Sequence, residues 1–210
     1  RFIPIVPGAV SMYNCGPTVY DFQHIGNMRA AVFADTIRRA LQFNGYEVKQ
    51  VINITDVGHL LGDNEGDASV GRDRLEIGAE RRGLKVQDVA AEVTEAYFTD
   101  LDLLNVKRSA ISFPRATHYI NEQIALVATL IEKGYAYTID DGVYFDTKRF
   151  KSYGKLGNIN LKGQEEGARV EKVEGRKSPT DFALWKRSKP NEKRQQEWDS
   201  PWGVGFPGWH

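Results

Sequence analysis

Between Met12 and Asp35 the chain reads MYNCGPTVYDFQHIGNMRAAVFAD, and three of its residues have the types and spacing for phosphate chemistry. His24 and Asn27 stand one helical turn apart, and each carries a group that donates to an oxygen. Gly26 between them has no side chain, so a flat base such as adenine could lie directly against the backbone. These residues precede a helical pattern, where free backbone N–H groups and the positive end of the helix dipole favour anions. The alternative for the same residues is a satisfied helix cap with a surface histidine. Cys15, upstream, reads either as a small buried hydrophobe or, from its place at a strand end, as a group at the mouth of a crevice.

The elements that must position these residues follow from periodicity. Val10, Met12 and Tyr13 begin a short apolar strand ending at Asn14, with Pro7-Gly8 as a turn before it. From Met28 the spacing is helical: Ala30, Phe33, Ala34, Ile37, Ala40 and Leu41 make one apolar stripe, with Arg38, Arg39 and Gln42 facing the other way. Asn44-Gly45 stops the helix. Val48 to Asn53 is a second strand rich in β-branched residues. Strand, helical crossover and strand make a parallel βαβ unit, and ligands in such sheets bind at the carboxyl ends of the strands. That rule draws Cys15 to Thr18, His24 to Asn27 and Thr55 to Asp56 around one crevice.

Further along, Gly62 to Gly71 is a polar loop without the DxDxDG spacing of a calcium site. Helices are expected from Arg72 to Gly83, from Val86 to Leu104 and from Arg115 to Lys133, with Ser112-Phe113-Pro114 as a break. Asp140-Asp141-Gly142 joins two strands as a hairpin. Lys148 to Lys177, rich in Gly, Lys and Glu, reads as a mobile surface segment, and Asp181 to Lys186 as a strand. Gly203 to Gly208 satisfies GxGxxG literally. Pro207 argues against the strand–turn–helix setting of a dinucleotide fingerprint, so a glycine loop presenting Trp209 is the better reading. His59 and His118 read as surface positions.

CGPTVYDFQHIGNMR resembles the signature of cysteinyl-tRNA synthetases, a class I family whose nucleotide-binding tetrapeptide is usually HIGH; Asn27 stands at its fourth position, and HIGN occurs in that family. The resemblance continues, in order, through NITDVGH (Asn53–His59), DGVYFD (Asp141–Asp146), DFALWK (Asp181–Lys186), EWDSPWG (Glu197–Gly203) and PGWH (Pro207–His210). It implies an α/β, Rossmann-like parallel sheet interrupted by an α/β connective insert, with residues 1–60 as the first half of the nucleotide-binding domain, 61–177 as the insert, and 178–210 returning to the catalytic domain. It implies ATP, L-cysteine and tRNA(Cys) as substrates. His24 and Asn27 would serve catalysis at the ATP phosphates and Gly26 the adenine, while Gly16, Thr18, Thr55 and Trp209 would line the cysteine pocket. Cys15 would be one ligand of a zinc ion, the others being expected beyond residue 210; His210 is not one of them. Zinc would explain selectivity for a thiol over a hydroxyl, since a soft ligand prefers that metal and pocket size alone discriminates by only about 1–3 kcal/mol.

The 210 residues carry 28 basic and 28 acidic side chains, which excludes nucleic-acid binding by bulk charge alone. One cysteine excludes an internal disulfide and suits a reducing, cytoplasmic setting. There is no membrane-length apolar run, no secretory signal, and no Ser/His/Asp constellation; adenylation of a carboxylate needs none. Arg1 at the start and the abrupt stop at His210 suggest an internal window of a longer protein. KMSKS, the family's second ATP loop, does not occur in the sequence, so the isolated chain is expected to be inactive. Other readings are a cysteine-ligating relative with a non-tRNA amine acceptor, a non-catalytic truncated binding module, and a short nucleotidyltransferase, which would lack the CGPTVYD and PGWH segments.

Overall fold

The computed structural model describes residues 2–58, 73–157, 174–189 and 194–208. His59, the Gly62 to Gly71 loop, Trp209, His210 and residues 158–173 of the segment expected to be mobile lie outside the described residues. Two compact units divide the chain: Arg1–Asp56 with Gly78–His118, and Val57–Ile77 with Tyr119–His210.

The first unit is built on a parallel sheet of β1 (Ala9–Asn14), β2 (Glu47–Ile52) and β3 (Ile111–Ser112), in that spatial order. Helix α1 (Ile25–Phe43) makes the expected crossover from β1 to β2, and Gly45 takes the left-handed conformation (φ +85°) that ends it. After α2 (Arg74–Arg82), α3 (Val86–Leu103) leads to β3. Its buried residues Val86, Val89, Ala90, Val93 and Tyr97 recur at helical spacing along one face. Burial pushes the Tyr97 phenol up to about 12.

Helix α1 differs from its expected orientation. The buried residues are Met28, Ala31, Ala34, Asp35 and Arg38, while Ala30, Phe33, Ile37 and Ala40 are exposed. The run from Ala30 to Ala34 is apolar all round, so periodicity alone offers two faces. The face that packs carries small alanines and a paired charge. Arg38, only 1% exposed, donates to the Asp35 carboxylate and, at 2.9 Å, to Gln42 Oε1. Asp35 also accepts from Arg39 Nε at 2.6 Å, and Arg39 reaches the Asn105 carbonyl at 2.6 Å. Burial alone would raise the Asp35 carboxyl; the hydrogen bonds and charges of Arg39 and Arg38 outweigh it and hold the carboxyl below its ordinary range.

The second unit contains α4 (Ile120–Glu132) and a four-stranded antiparallel sheet, β4 (Ala136–Ile139), β5 (Gly142–Phe145), β6 (Phe182–Arg187) and β7 (Gly205–Pro207), in that order. Ile120, Val127, Ala136, Val143 and Trp185 form its core, with Trp198 and Trp202 packed against it. The hairpin at Asp140-Asp141 forms as expected. The strand expected at 181–186 also forms, but it pairs with β5, not with the parallel sheet. By contacts α3 and β3 belong with the parallel sheet, while β6 and β7 extend the hairpin. Side-chain pattern sets which face of a strand is buried, not which sheet edge it joins, and so does not reveal this partner.

The GxGxxG segment is not a dinucleotide loop. Gly205 lies in β7 against β6, where an added Cβ would come 2.0 Å from the Lys186 carbonyl oxygen; at Gly208 it would come 2.4 Å from that of Ala183. These glycines serve close strand packing.

Candidate functional site at the carboxyl edge of the parallel sheet

Parallel strands end on the same side, and beyond those ends the backbone continues to pair. Thr55 N donates to Pro17 O at 3.0 Å and Val19 N to Thr55 O at 3.1 Å. On the other side Ile54 N donates to Pro114 O at 2.8 Å and Ala116 N to Ile54 O at 3.0 Å. The segments after β1, β2 and β3 are thus laced into one edge. Cys15 to Thr18 and Thr55 to Asp56 meet there, as the sequence suggested. Asp56 then accepts from the Thr117 amide at 3.0 Å and its hydroxyl at 2.7 Å, which fixes the third segment.

The approach at Gly16 is closer than any other residue allows. Its N–H donates to Asn53 Oδ1 at 2.9 Å, and a Cβ there would stand 1.6 Å from the Asn53 carbonyl oxygen. Thr18 is half-buried and Thr55 buried, while Cys15 is exposed at the strand end. Partial desolvation raises the Tyr13 phenol, and its electrostatic neighbour Cys15 raises it further.

The start of α1 is tied to the same edge through Gln23, whose Nε2 donates to Thr18 O at 3.3 Å and to Asp21 O at 3.0 Å. His24 is the N-cap. Its Nδ1 accepts from Gly26 N at 3.0 Å, and Asn27 Oδ1 accepts from His24 N at 3.2 Å, a reciprocal capping box. The Gly26 amide is consequently spent on the cap. A Cβ at Gly26 would meet the His24 ring at 2.8 Å, so the imidazole itself uses the space this glycine leaves. Two donors stay free of the box: His24 Nε2–H, the proton's place once Nδ1 accepts, and the Asn27 side-chain NH₂. His24, Gly26 and Asn27 are all exposed, and the first turn of α1 carries no acidic residue.

A zinc site needs three or four protein ligands. Among the described residues no group of three His, Cys, Asp or Glu side chains is arranged to hold a metal ion, so Cys15 there is a single donor and not a site. Trp209 lies outside the described residues. Sequence reasoning missed Asn53, Gln23 and Thr117. The first had a legible signal, a polar amide closing a β-branched strand two residues before Thr55; Gln23 is known only from its bonds to the backbone of the preceding loop, and Thr117 only from its distant partner Asp56. Among the described residues no helix is long and apolar enough to cross a membrane.

The model of the family described as tRNA synthetases class I (C) catalytic domain matches residues 1–210. Cysteine--tRNA ligase 1 of Burkholderia lata is 51% identical over 209 residues, covering all of this chain and 43% of that protein. The cysteine--tRNA ligases of Zymomonas mobilis and Deinococcus radiodurans are each 49% identical over the whole chain, which covers 39% and 41% of them. The chain spans roughly two fifths of the length of these curated relatives. Matched from end to end by the family's model, and carrying the helix cap and laced strand ends just described, the chain belongs to the class I (C) tRNA synthetase catalytic domain family.

Proposed function

We propose that the protein containing this chain ligates L-cysteine to its tRNA by way of cysteinyl-adenylate. A carboxylate oxygen of cysteine attacks the α-phosphorus of ATP and pyrophosphate leaves; a hydroxyl of the tRNA's 3′ adenosine then takes the cysteinyl group and AMP leaves. The laced carboxyl edge carries this reading, because it sets Gly16, Thr18 and Thr55 beside the capped start of α1. His24 Nε2–H and the Asn27 amide donate to the phosphate oxygens, and Gly26 faces the adenine. No protein nucleophile is required, since positioning and charge stabilisation suffice for this transfer. Cys15 contributes one thiolate to a zinc ion whose other ligands lie outside the described residues. The setting is the cytoplasm.

ATP–pyrophosphate exchange by the complete protein tests the reading. L-cysteine should drive exchange and L-serine should not. Replacing one donor to a developing anion costs about 10²–10³ in rate, and His24→Ala and Asn27→Asp should each fall in that range. Equal exchange with serine, or a His24→Ala protein within about threefold of the wild type, would count against it.

A further inference from the structure

We infer that Asn53 is a positioning residue that sets the direction of the Thr55 hydroxyl and ties it to the Gly16 backbone. The inference rests on Thr55 lining the amino-acid pocket, as proposed above. Asn53 directly follows β2, is 8% exposed, and uses both ends of its amide within the site. Oδ1 accepts from Gly16 N and Nδ2 donates to Thr55 Oγ1, each at 2.9 Å.

The orientation of that amide is fixed by chemistry. A backbone N–H only donates, so the atom facing Gly16 must be the oxygen, and the nitrogen must face Thr55. The nitrogen in turn only donates, so Thr55 Oγ1 receives that bond on a lone pair and keeps its own proton. Among the described residues the Thr55 hydroxyl donates to no acceptor. The proton is therefore held ready for an acceptor oxygen of the bound substrate. Asn53 closes a short loop of contacts: side chain to Gly16 N, carbonyl against Gly16 Cα, and Thr55 N back to Pro17 O. A shift at Asn53 displaces both pocket walls together.

Asn53→Asp separates the two roles. The carboxylate still accepts from Gly16, but it has no proton for Thr55, whose hydroxyl must now donate to residue 53 instead of to substrate. The test is a cycle of Asn53→Asp, Thr55→Val and the double variant in the complete protein, read by exchange kinetics, with Asn53→Ser in place of Asn53→Asp should the latter fail to melt cooperatively. We expect the KM for cysteine to rise about tenfold in either single variant. The KM for ATP should stay within about twofold, and the double variant should be no worse than Thr55→Val. Multiplying effects, a parallel rise in the KM for ATP, or a normal cysteine KM in Asn53→Asp beside a raised one in Thr55→Val would each overturn the role of Asn53. A normal cysteine KM in Thr55→Val would instead overturn the pocket assignment, and this inference with it.

Discussion

Replacing Asp35 by Asn probes the most unusual feature of α1, a guanidinium on its packed face. Arg38 is 1% exposed and its charge is balanced there by the Asp35 carboxylate, with Gln42 as the other partner. Asparagine nearly preserves shape but removes the charge, leaving Arg38 buried without a counter-ion, a loss of about 3–5 kcal/mol. The bond from Arg39 adds little, because that side chain is 48% exposed and surface pairs of this spacing contribute about 0.3–0.5 kcal/mol. Urea unfolding followed by far-UV circular dichroism, with hydrogen exchange of α1 peptides as the local reading, should show most of that loss. The pH dependence has a definite sign. The Asp35 carboxyl is lowered in the folded state, so its contribution is complete above the unfolded value of about 3.9 and disappears as pH falls from there through the folded value. Asp35→Asn should therefore flatten the acid limb below about pH 4. Asp35→Leu/Arg38→Met, which replaces the pair by apolar groups, should regain most of the lost stability. A loss below about 1 kcal/mol in Asp35→Asn, or an apolar pair as unstable as the single variant, would refute the account of a buried, mutually dependent pair.

The remaining predictions concern α3 and the strand-end loop. Tyr97, 4% exposed with its phenol pushed up to about 12, favours folding below the unfolded value of about 10, and this contribution is lost as pH rises from 10 towards 12. Tyr97→Phe should remove about 1 kcal/mol of alkaline destabilisation at pH 11, measured as the difference between urea midpoints at pH 9 and 11. Gly16→Ala must move the strand-end loop off the Asn53 carbonyl by more than about 1 Å, breaking bonds to Asn53 and Thr55 at a cost of about 2 kcal/mol. A displacement of that size in a substrate-positioning loop should lower cysteine-dependent exchange about 100-fold, so a Gly16→Ala protein of normal activity would disprove the close approach.

What could be read in the sequence was whatever local rules decide. β1, α1, β2 and α3 follow from periodicity and stop signals, and the parallel-sheet rule brought Thr55 to Cys15 without any knowledge of contacts. Three features depended on tertiary choice instead. α1 had apolar residues on two faces, and the packed one was settled by Ala31 and Ala34 and by the Asp35–Arg38 pair, not by the larger Phe33 and Ile37. β3 is two residues long, too short to show alternation, and exists because β2 offers it an open edge. β6 was legible as a strand, but its partner was not, since hydrogen-bonding edges are the same whatever the side chains. At the site, His24, Gly26 and Asn27 were visible by type, whereas the reciprocal cap that fixes them was visible only as the blander of two readings.

Those two readings turn out to be compatible. A histidine that caps a helix through Nδ1 must carry its proton on Nε2, and Asn27, accepting through Oδ1, must turn its NH₂ away from the cap. The cap thus selects, in both side chains, the atom that donates to an anion. The first turn of α1 carries no acidic residue, so its own side chains set no negative charge against an approaching phosphate. The helix cap is therefore also the device that would orient the two donors, because it fixes which atom of each side chain is left to donate.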